Sequence, residues 1–326
     1  MDGNATPSAT NALVHTEPPG SFEYVDFRHA GTLHHYRLYV PPGATPQQPM
    51  ALVLMLHGCT QNPDDFAIGT GMNLAAAQAN ALVLYPAQPR SANVNACWNW
   101  FEPHHQRRGM GEPALLVAMV RDVAQRHSVD AQRVYAAGLS AGGAMAAVLG
   151  REYPDVFAAV GVHSGLQAGA AHNLTAALSA MRTGTRPTVV PAHAAPNPAS
   201  YPPLIVFHGD ADTIVHAKNS EHLVDAALQA LAGSPARVQR QSIPGQSVAG
   251  QRYTRTVYHH RRAGRVSPGA DTDVDADVVA EHWVLHGAGH AWSGGHATGS
   301  HTDPRGISAT QEMLRFFLAH PKTAGH

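Results

Sequence analysis

The segment Gly138-Leu139-Ser140-Ala141-Gly142 has the residue types and spacing needed to present a nucleophilic serine. The apolar run 134–137 before it predicts a buried strand, and the small residues after Gly142 predict the start of a helix. A serine at such a strand-to-helix corner stands clear of the backbone, because Gly138 and Gly142 avoid the collisions that side chains would cause. The same pattern also occurs by chance in glycine-rich loops, so its interpretation depends on partners elsewhere in the chain.

Two later segments supply a carboxylate and an imidazole, the groups that activate a serine. The apolar run 204–208 is followed by Gly209-Asp210-Ala211-Asp212, and the run 278–285 is followed by His286-Gly287-Ala288-Gly289-His290. Functional groups of open α/β sheets converge at the carboxyl ends of strands, so we expect both groups near Ser140. Serine, aspartate and histidine in this chain order is one of the known arrangements of a catalytic triad.

More than one residue could serve as the carboxylate, and more than one could serve as the imidazole base. Asp212 is favoured as the carboxylate because Gly209 lets the chain turn before it, whereas Asp210 is typical of a turn residue bonded to its own backbone. His290 is favoured as the base because two competitors lie within or at the end of a predicted strand, where side chains usually pack. Those two competitors are His282 and His286, and two further alternatives, His163 and His216, stay open.

An acyl-transfer reaction also needs two N–H donors for the negative charge that develops on a substrate oxygen. The N–H of Ala141 opens the helix after Ser140 and is the first expected donor. The loop after the strand 50–56, His57-Gly58-Cys59, supplies the second, because Gly58 permits close backbone approach. We therefore assign the two donors to Cys59 and Ala141. An ordinary strand-ending turn is the alternative for His57-Gly58.

The elements that must position these residues alternate between strand and helix. The predicted strands span 22–29, 35–40, 50–56, 81–85, 134–137, 157–162, 204–208, 252–259 and 278–285. The predicted helices span 73–78, 115–123, the residues after Gly142, 219–231 and 308–318, the last capped by Ser308. This alternation predicts an α/β fold with a mostly parallel central sheet and helices on both faces.

The domain organisation is predicted to be simple. We expect one catalytic domain over 21–326, preceded by a flexible segment over 1–20. Segment 183–203, rich in Thr, Pro and Ala, is expected to be a lid over the site or a loop on the far side. No run approaches the length of a transmembrane helix.

Composition excludes several classes of function. The chain of 326 residues is 44% hydrophobic and 14% charged with a net charge of -1, so it has no basic field for nucleic acid. Its 23 histidines include adjacent pairs, but neighbours on a strand face opposite ways and cannot chelate one ion. His286 and His290 lack the glutamate of a zinc helix, and the acidic segment 271–277 lacks the glycine and glutamate of a calcium loop. We expect no metal and no cofactor; the oligomeric state stays open.

The serine, aspartate and histidine segments belong to a larger set of motifs. The set is His57-Gly58-Cys59-Thr60-Gln61, Tyr85-Pro86, Cys97-Trp98-Asn99-Trp100-Phe101, Gly138-Leu139-Ser140-Ala141-Gly142-Gly143-Ala144-Met145, Tyr153-Pro154-Asp155-Val156-Phe157-Ala158-Ala159, His163-Ser164-Gly165, His208-Gly209-x-x-Asp212-x-x-Val215 and Gly289-His290-Ala291-Trp292-Ser293-Gly294-Gly295. Together these motifs resemble the poly(3-hydroxybutyrate) depolymerase family of esterases, which is similar to feruloyl and acetylxylan esterases. The resemblance implies an α/β-hydrolase fold with Ser140, Asp212 and His290 as the triad and the Cys59 amide in the oxyanion hole.

The resemblance also bears on the cysteines and tryptophans. Cys59 and Cys97 allow one pairing, with two free thiols as the alternative, and the matching family positions imply a disulfide bond. Trp98, Trp100 and Trp292 are expected to line an acyl or polymer groove, the alternative being core packing.

The compartment stays open. Residues 1–6 show neither the basic start nor the apolar core of an export signal, whereas a disulfide favours a periplasmic or secreted protein.

We therefore expect a serine carboxylic-ester hydrolase that acts on polyhydroxybutyrate-type polyester or its oligomers. A small-ester, feruloyl or acetylxylan esterase is the alternative within this class. A peptidase on the same fold and a non-catalytic binding protein are the alternatives from other classes.

Overall fold

The computed structural model describes residues 18–184, 201–230, 238–261 and 276–322. The strands are β1 Ser21–His29, β2 Thr32–Val40, β3 Met50–Leu56, β4 Leu82–Pro86, β5 Val129–Leu139, β6 Ala159–His163, β7 Leu204–Gly209, β8 Val238–Gln246, β9 Arg252–Arg261, β10 Ala276–Leu285, β11 Trp292–Ser293 and β12 Thr302–Asp303. The helices are α1 Pro63–Thr70, α2 Met72–Ala79, α3 Gly111–Arg126, α4 Ala141–Glu152, α5 Leu174–Thr183, α6 Lys218–Ala230 and α7 Ala309–Ala319. A short 3₁₀ helix spans Pro103–Gln106.

Strands β1 to β10 form one sheet in the spatial order β1-β2-β4-β3-β5-β6-β7-β10-β9-β8. The six central strands from β4 to β10 are parallel, and an antiparallel hairpin flanks them at each edge. The mostly parallel sheet predicted from the sequence is confirmed. Strand β4 pairs with one edge of β3, and β5 pairs with the other edge. The strand order therefore reverses at β3, and the carboxyl ends of β3 and β5 border a crevice at this topological switch point.

Helices cover both faces of the sheet, as the sequence predicts. Strand β3 illustrates why: Leu52 and Leu54 pack in the core that contains residues of α3 and α4, whereas Val53 and Met55 pack in the core that contains residues of α1, α2 and α7. Each residue of β3 is buried. A continuous apolar run is what a strand covered on both faces requires.

The structure confirms most predicted elements and adds some. Strand β6 starts two residues later than predicted, because the Phe157 N–H donates to the Tyr153 carbonyl in the turn after α4. Helices α1 and α5 and strand β8 were not predicted; β8 is mostly exposed and carries almost no apolar alternation. No described helix is long and apolar enough to cross a membrane.

Three sequence predictions fall mainly on residues outside the described ranges. They concern the flexible start of the chain, the lid or loop over 183–203, and the acidic segment over 271–277, of which the structure describes only the first residues of β10. The boundary of the single domain stays a prediction.

A buried carboxylate ties the outer part of the sheet to the closing helix. Glu281 of β10 is 1% exposed and pairs with Arg255 of β9 and Arg315 of α7, each at 2.7 Å. Burial by itself would raise the pKa of Glu281, but the two guanidinium groups hold that pKa below its ordinary value. The carboxylate is therefore charged in the folded protein at neutral pH.

Replacement of Glu281 by Gln should lower the free energy of unfolding by about 1–3 kcal/mol at neutral pH, because two charge-assisted hydrogen-bonding partners lose their anion. A carboxyl group with a lowered folded pKa stabilises the protein above its unfolded pKa of about 4.3 and loses that effect as pH falls through the folded pKa. The difference between wild type and variant, measured by urea unfolding, should therefore shrink in acid.

Glu312→Gln is the matched control, since Glu312 pairs with the same Arg315 at 2.7 Å on the helix surface. We expect it to cost less than about 1 kcal/mol. Equal losses for the two variants, or a difference that does not change with pH, would contradict this account of Glu281.

Candidate active site

Ser140 lies at the sharp corner between β5 and α4. Its backbone has φ 57° and ψ -118°, a conformation that side chains rarely adopt. Its N–H donates to the His163 carbonyl at 2.9 Å, and its carbonyl accepts from the Ala144 N–H in the first turn of α4. These two bonds hold the strained residue in place, and the predicted strand-to-helix corner is confirmed.

The two flanking glycines allow the corner to form. A Cβ at Gly142 would lie 2.1 Å from the Leu56 carbonyl oxygen, and one at Gly138 would lie 2.4 Å from the Gly142 carbonyl carbon. No side chain fits at either position without movement of the backbone. At this corner the backbones of β5, α4 and the end of β3 cross in close contact. This backbone crossing places the start of α4 directly beside the end of β3.

Asp212 and His290 form a hydrogen-bonded pair at the same edge of the sheet. They follow β7 and β10, which are adjacent strands, and one strand, β6, separates β7 from β5 and Ser140. His290 Nδ1 lies 2.7 Å from Asp212 Oδ2, and the Asp212 side chain is fully buried. A carboxylate only accepts, so His290 donates from Nδ1, and in the neutral form of the ring the lone pair is on Nε2.

The second oxygen of Asp212 is also satisfied. Asp212 Oδ1 accepts from the N–H groups of Ile214 and Val215, both at 2.9 Å. Burial by itself would raise the pKa of Asp212, but the hydrogen bonds from His208, His290 and Val215 hold that pKa well below its ordinary range. Asp212 is therefore an anion whose orientation is fixed from several directions.

His208 is a neighbour of Asp212 to which the sequence analysis gave no role. It is 1% exposed, and its Nε2 lies 2.7 Å from the Val215 carbonyl and 3.4 Å from Asp212 Oδ2. A carbonyl accepts, so His208 carries its proton on Nε2 and supports the loop that presents Asp212. The sequence feature that could have indicated this role is the position of His208, four residues before Asp212 in the same motif.

The competing aspartate forms a separate pair at the surface. Asp210 accepts from His286 Nδ1 at 2.8 Å and from the Gly287 N–H at 2.6 Å. The Asp210 and His286 side chains are 42% and 36% exposed. The structure thus pairs Asp212 with His290, and Asp210 with His286, although the two aspartates are two residues apart.

The remaining histidine candidates, His282, His163 and His216, have structural partners; His216 Nδ1 accepts from the Lys218 N–H at 3.2 Å. His282 is buried and its Nε2 lies 2.9 Å from Ser220 Oγ. His163 is fully buried; its Nε2 accepts from the Ser293 N–H at 3.0 Å, and its Nδ1 lies 3.1 Å from Ser164 Oγ. Burial lowers the pKa of His163 to about 3, so this ring is neutral.

His163 has a positional role instead. Its carbonyl holds the amide of Ser140, while its ring holds the Ser293 amide and stacks on Trp292 at 5.3 Å between ring centroids. One residue of β6 thus links the corner at Ser140 to the segment that follows His290. From the sequence, His163 is predicted only as an alternative base, and its role in linking these two segments is not predicted.

The loop after β3 lies at the switch point, beside the start of α4. Cys59 and Cys97 form a disulfide bond, so this loop is covalently tied to the segment before Trp98. The Gly58 N–H donates to Gln61 Oε1 at 2.9 Å, and the Thr60 N–H donates to the Asn95 carbonyl at 2.7 Å. These contacts fix the loop from both sides.

Among the described residues, the two amides predicted to bind an oxyanion have no intramolecular acceptor. They are the N–H of Cys59 and that of Ala141, the first residue of α4. The first amides of a helix have no acceptor within the helix and carry its positive dipole end. Both groups are thus available to an anion.

The structure corrects the expectation for the three tryptophans. Trp98, Trp100 and Trp292 are 1%, 4% and 1% exposed, so they have almost no surface to offer a substrate groove. Trp98 Nε1 donates to the His57 carbonyl at 3.1 Å, and Trp292 Nε1 donates to Thr310 Oγ1 at 3.0 Å. The indole N–H groups of Trp98 and Trp292 are satisfied inside the protein, as buried tryptophans require.

The geometry also bears on metals. Within the described ranges, no group of three or more His, Cys, Asp or Glu side chains is arranged to hold a metal ion. The arrangement at the sheet edge is suited to nucleophilic chemistry: it combines a strained serine, a hydrogen-bonded Asp-His pair and two available amides.

The chain resembles known proteins over much of its length. Residues 34–238 match the family described as Esterase PHB depolymerase. The matched segment contains Ser140 and Asp212 and ends before His290, so the place of His290 rests on its own motif and on the structure.

Two relatives illustrate the similarity. The chain is 35% identical over 195 residues to poly(3-hydroxyalkanoate) depolymerase C of Paucimonas lemoignei, covering 57% of this chain and 46% of that protein. It is 32% identical over 197 residues to feruloyl esterase B of Thermothelomyces thermophilus, covering 56% of this chain and 66% of that protein. The chain therefore spans less than two thirds of the length of either relative.

A solved structure shows the fold. The acetyl xylan esterase from Aspergillus awamori matches with a TM-score of 0.62 at 22% sequence identity, covering 83% of this chain and 94% of that chain. The predicted α/β-hydrolase fold is confirmed.

The corner at Ser140 gives a stability prediction. Gly142→Ala should lower the free energy of unfolding by about 1–3 kcal/mol or more, because its Cβ meets backbone and the crossing must open. Gly289→Ala is the matched control: its Cβ has no described heavy atom within 4 Å, and Gly289 has no positive φ. Urea unfolding of both variants checks this, and a Gly142→Ala protein as stable as Gly289→Ala would contradict it.

Proposed function

The chain belongs to the Esterase PHB depolymerase family, and from this premise we propose that it hydrolyses carboxylic esters through a covalent acyl-enzyme on Ser140. The observation that carries the proposal is the convergence of three features at one sheet edge. They are the strained Ser140 corner, the Asp212–His290 hydrogen bond, and the available amides of Cys59 and Ala141.

In this proposal His290 is the general base. Its Nδ1–H is held by the buried anion Asp212, so Nε2 is the nitrogen that takes the proton from the Ser140 hydroxyl. Asp212 orients the ring and stabilises the imidazolium that forms. The strained backbone of Ser140 presents the hydroxyl clear of the strand.

The reaction then proceeds in two halves. Ser140 Oγ bonds to the ester carbonyl carbon, and the tetrahedral intermediate collapses as His290 gives its proton to the leaving alcohol. Water enters, loses a proton to His290 and bonds to the acyl carbon; the bond to Ser140 Oγ then breaks as His290 returns the proton to that oxygen, which releases the acid and restores Ser140. The N–H groups of Cys59 and Ala141 hold the oxyanion in both halves.

We propose polyhydroxybutyrate-type polyester, or its oligomers, as the substrate class. Support comes from the family match and from the 35% identity to poly(3-hydroxyalkanoate) depolymerase C. A small-ester or feruloyl-type esterase is the second candidate, which the 32% identity to feruloyl esterase B favours.

A substrate panel tests both parts of the proposal. Wild type should hydrolyse p-nitrophenyl butyrate, 3-hydroxybutyrate oligomers and a polyhydroxybutyrate suspension, and Ser140→Ala should abolish each activity while its thermal unfolding stays that of a folded protein. Ser242→Ala, on the exposed face of β8, is the control and should keep full activity. Activity on methyl ferulate or acetylxylan alone would contradict the polyester proposal and support the second candidate function.

The rivals from other classes give different results. A peptidase would cleave peptide p-nitroanilides faster than the esters. A non-catalytic binding protein would hydrolyse nothing and would not react with a fluorophosphonate. Near-normal turnover by Ser140→Ala would refute the assignment of the nucleophile.

The two neighbouring aspartates allow a second, matched test. Asp212→Asn should lower kcat by about 10⁴-fold, because an amide no longer stabilises the His290 imidazolium or its working tautomer. Asp210→Asn removes the carboxylate of the exposed pair and should change kcat by less than about twofold, as expected for a rim charge. Steady-state kinetics on p-nitrophenyl butyrate decide between them, and a large loss in Asp210→Asn with none in Asp212→Asn would reverse the assignment.

A further inference from the structure

Glu112 is a buried carboxylate that the proposed reaction does not use. It lies in the first turn of α3, is 6% exposed, and accepts three hydrogen bonds. Its Oε1 accepts from Gln88 Nε2 at 2.6 Å and from Asn99 Nδ2 at 2.7 Å, and its Oε2 accepts from the Asn99 N–H at 2.8 Å. Both partners belong to the segment that carries Cys97.

The hydrogen bonds continue from Gln88 to the loop after β3. The Gln88 backbone N–H donates to His57 Nε2 at 3.2 Å, and its side chain donates to the Cys97 carbonyl at 3.0 Å. Because Nε2 of His57 accepts, its proton is on Nδ1, which donates to the Gly58 carbonyl at 2.8 Å. Burial lowers the pKa of His57 to about 4, which keeps this neutral tautomer.

The last bond in this series fixes the direction of one amide. The Gly58 carbonyl and the Cys59 N–H belong to the same planar trans peptide, so they point in opposite directions. A hydrogen bond that holds the carbonyl therefore sets the direction of the Cys59 N–H and also polarises it. That N–H is the one available for an oxyanion.

We propose that Glu112, acting through Gln88 and His57, is a positioning residue that orients the Cys59 N–H toward the oxyanion of the proposed ester hydrolysis. The inference rests on the proposed function for its chemical meaning, but the orientation of the Gly58–Cys59 peptide is measurable without turnover. Burial raises the pKa of Glu112 to about 7, although the hydrogen bonds from Asn99 and Gln88 oppose the shift. The test is therefore run at about pH 8.5, where the carboxylate is charged.

The test variant is Glu112→Gln, which keeps the shape of the side chain but replaces one acceptor oxygen by a donor. Asp122→Asn is the matched control: Asp122 lies on the same helix and pairs with Tyr36 and Arg126, away from this network. The active-site concentration of each protein is first titrated with a fluorophosphonate, so that kcat refers only to folded, reactive molecules.

We expect Glu112→Gln to lower kcat by about tenfold with KM within about twofold of wild type, because a misdirected oxyanion donor weakens the transition state and not the bound ester. The inhibition constant of an arylboronic acid, which forms a tetrahedral adduct, should rise by a similar factor. Asp122→Asn should leave all three constants unchanged. A purely structural role for Glu112 would lower the active fraction and the unfolding temperature but not kcat per active site.

A spectroscopic measurement tests the orientation directly. The chain has two cysteines, and Gly58-Cys59 is its one Gly-Cys sequence, so [1-¹³C]Gly and [¹⁵N]Cys labelling isolates this single peptide by NMR. Its amide resonance should move in Glu112→Gln and stay in place in Asp122→Asn. An unchanged resonance together with an unchanged kcat would overturn the proposal.

Failure of the proposed function and failure of the Glu112 variant to fold can each be distinguished from failure of the Glu112 proposal. A wild-type protein that neither turns over esters nor reacts with the fluorophosphonate overturns the proposed function, while the NMR result still decides the orientation. If Glu112→Gln does not fold, Gln88→Met decides instead, because it removes the bonds to Glu112 and to the Cys97 carbonyl. It should shift the same resonance and lower kcat, and a Gln88→Met protein with wild-type values for both would refute the proposal.

Discussion

The close backbone crossing of β5, α4 and the end of β3 is the constraint on which the rest of the site depends. A Cβ at Gly142 would lie 2.1 Å from the Leu56 carbonyl oxygen, so the crossing exists because two positions lack side chains. It forces Ser140 into a conformation that strand and helix residues avoid, and it brings the first amide of α4 beside the loop after β3. Ser140 and the amides of Cys59 and Ala141 are thus brought to the switch point of the sheet by one packing arrangement.

Buried neutral histidines hold this arrangement together. His163 joins the amide of Ser140 to the segment after His290, and His57 joins the Gly58 carbonyl to the Gln88 amide. Burial lowers the pKa of both rings, to about 3 and about 4, so each ring is neutral near pH 7 and has one donor and one acceptor nitrogen. In surroundings of low polarity such bonds are strong, and an unmade one is costly, which gives the site a single geometry.

The pairs Asp212–His290 and Asp210–His286 show how environment separates chemically identical groups. Both have an aspartate oxygen within 2.8 Å of an imidazole nitrogen, yet one aspartate is fully buried and the other is 42% exposed. Water screens the exposed pair, whereas the buried anion keeps its full effect on the ring beside it. Depth below the surface, more than residue type, distinguishes the buried Asp212–His290 pair from the exposed Asp210–His286 pair.

The sequence by itself determined the central strands, most of the helices, and the serine, aspartate and histidine segments that follow strands at one edge of the sheet. Continuous apolar runs mark strands buried on both faces, and Gly-x-Ser-x-Gly marks a corner because its glycines are sterically required, so β3, β5 and Ser140 follow from local rules. Asp212 and His290 were predicted because each follows a strand in an order that a parallel sheet brings to one edge.

The tertiary structure alone decided what depends on burial and on contacts distant in the chain. Trp98 and Trp292 have a side chain equally suited to a groove or a core, and only packing shows that they are core. Strand β8 has no apolar pattern and forms by pairing with β9. Glu112 reads as an ordinary helix-start residue, and its three hydrogen bonds come from residues 13 and 24 positions away. Such contacts produce no repeating pattern in the sequence, because they join residues that only the folded loops at the sheet edge bring together.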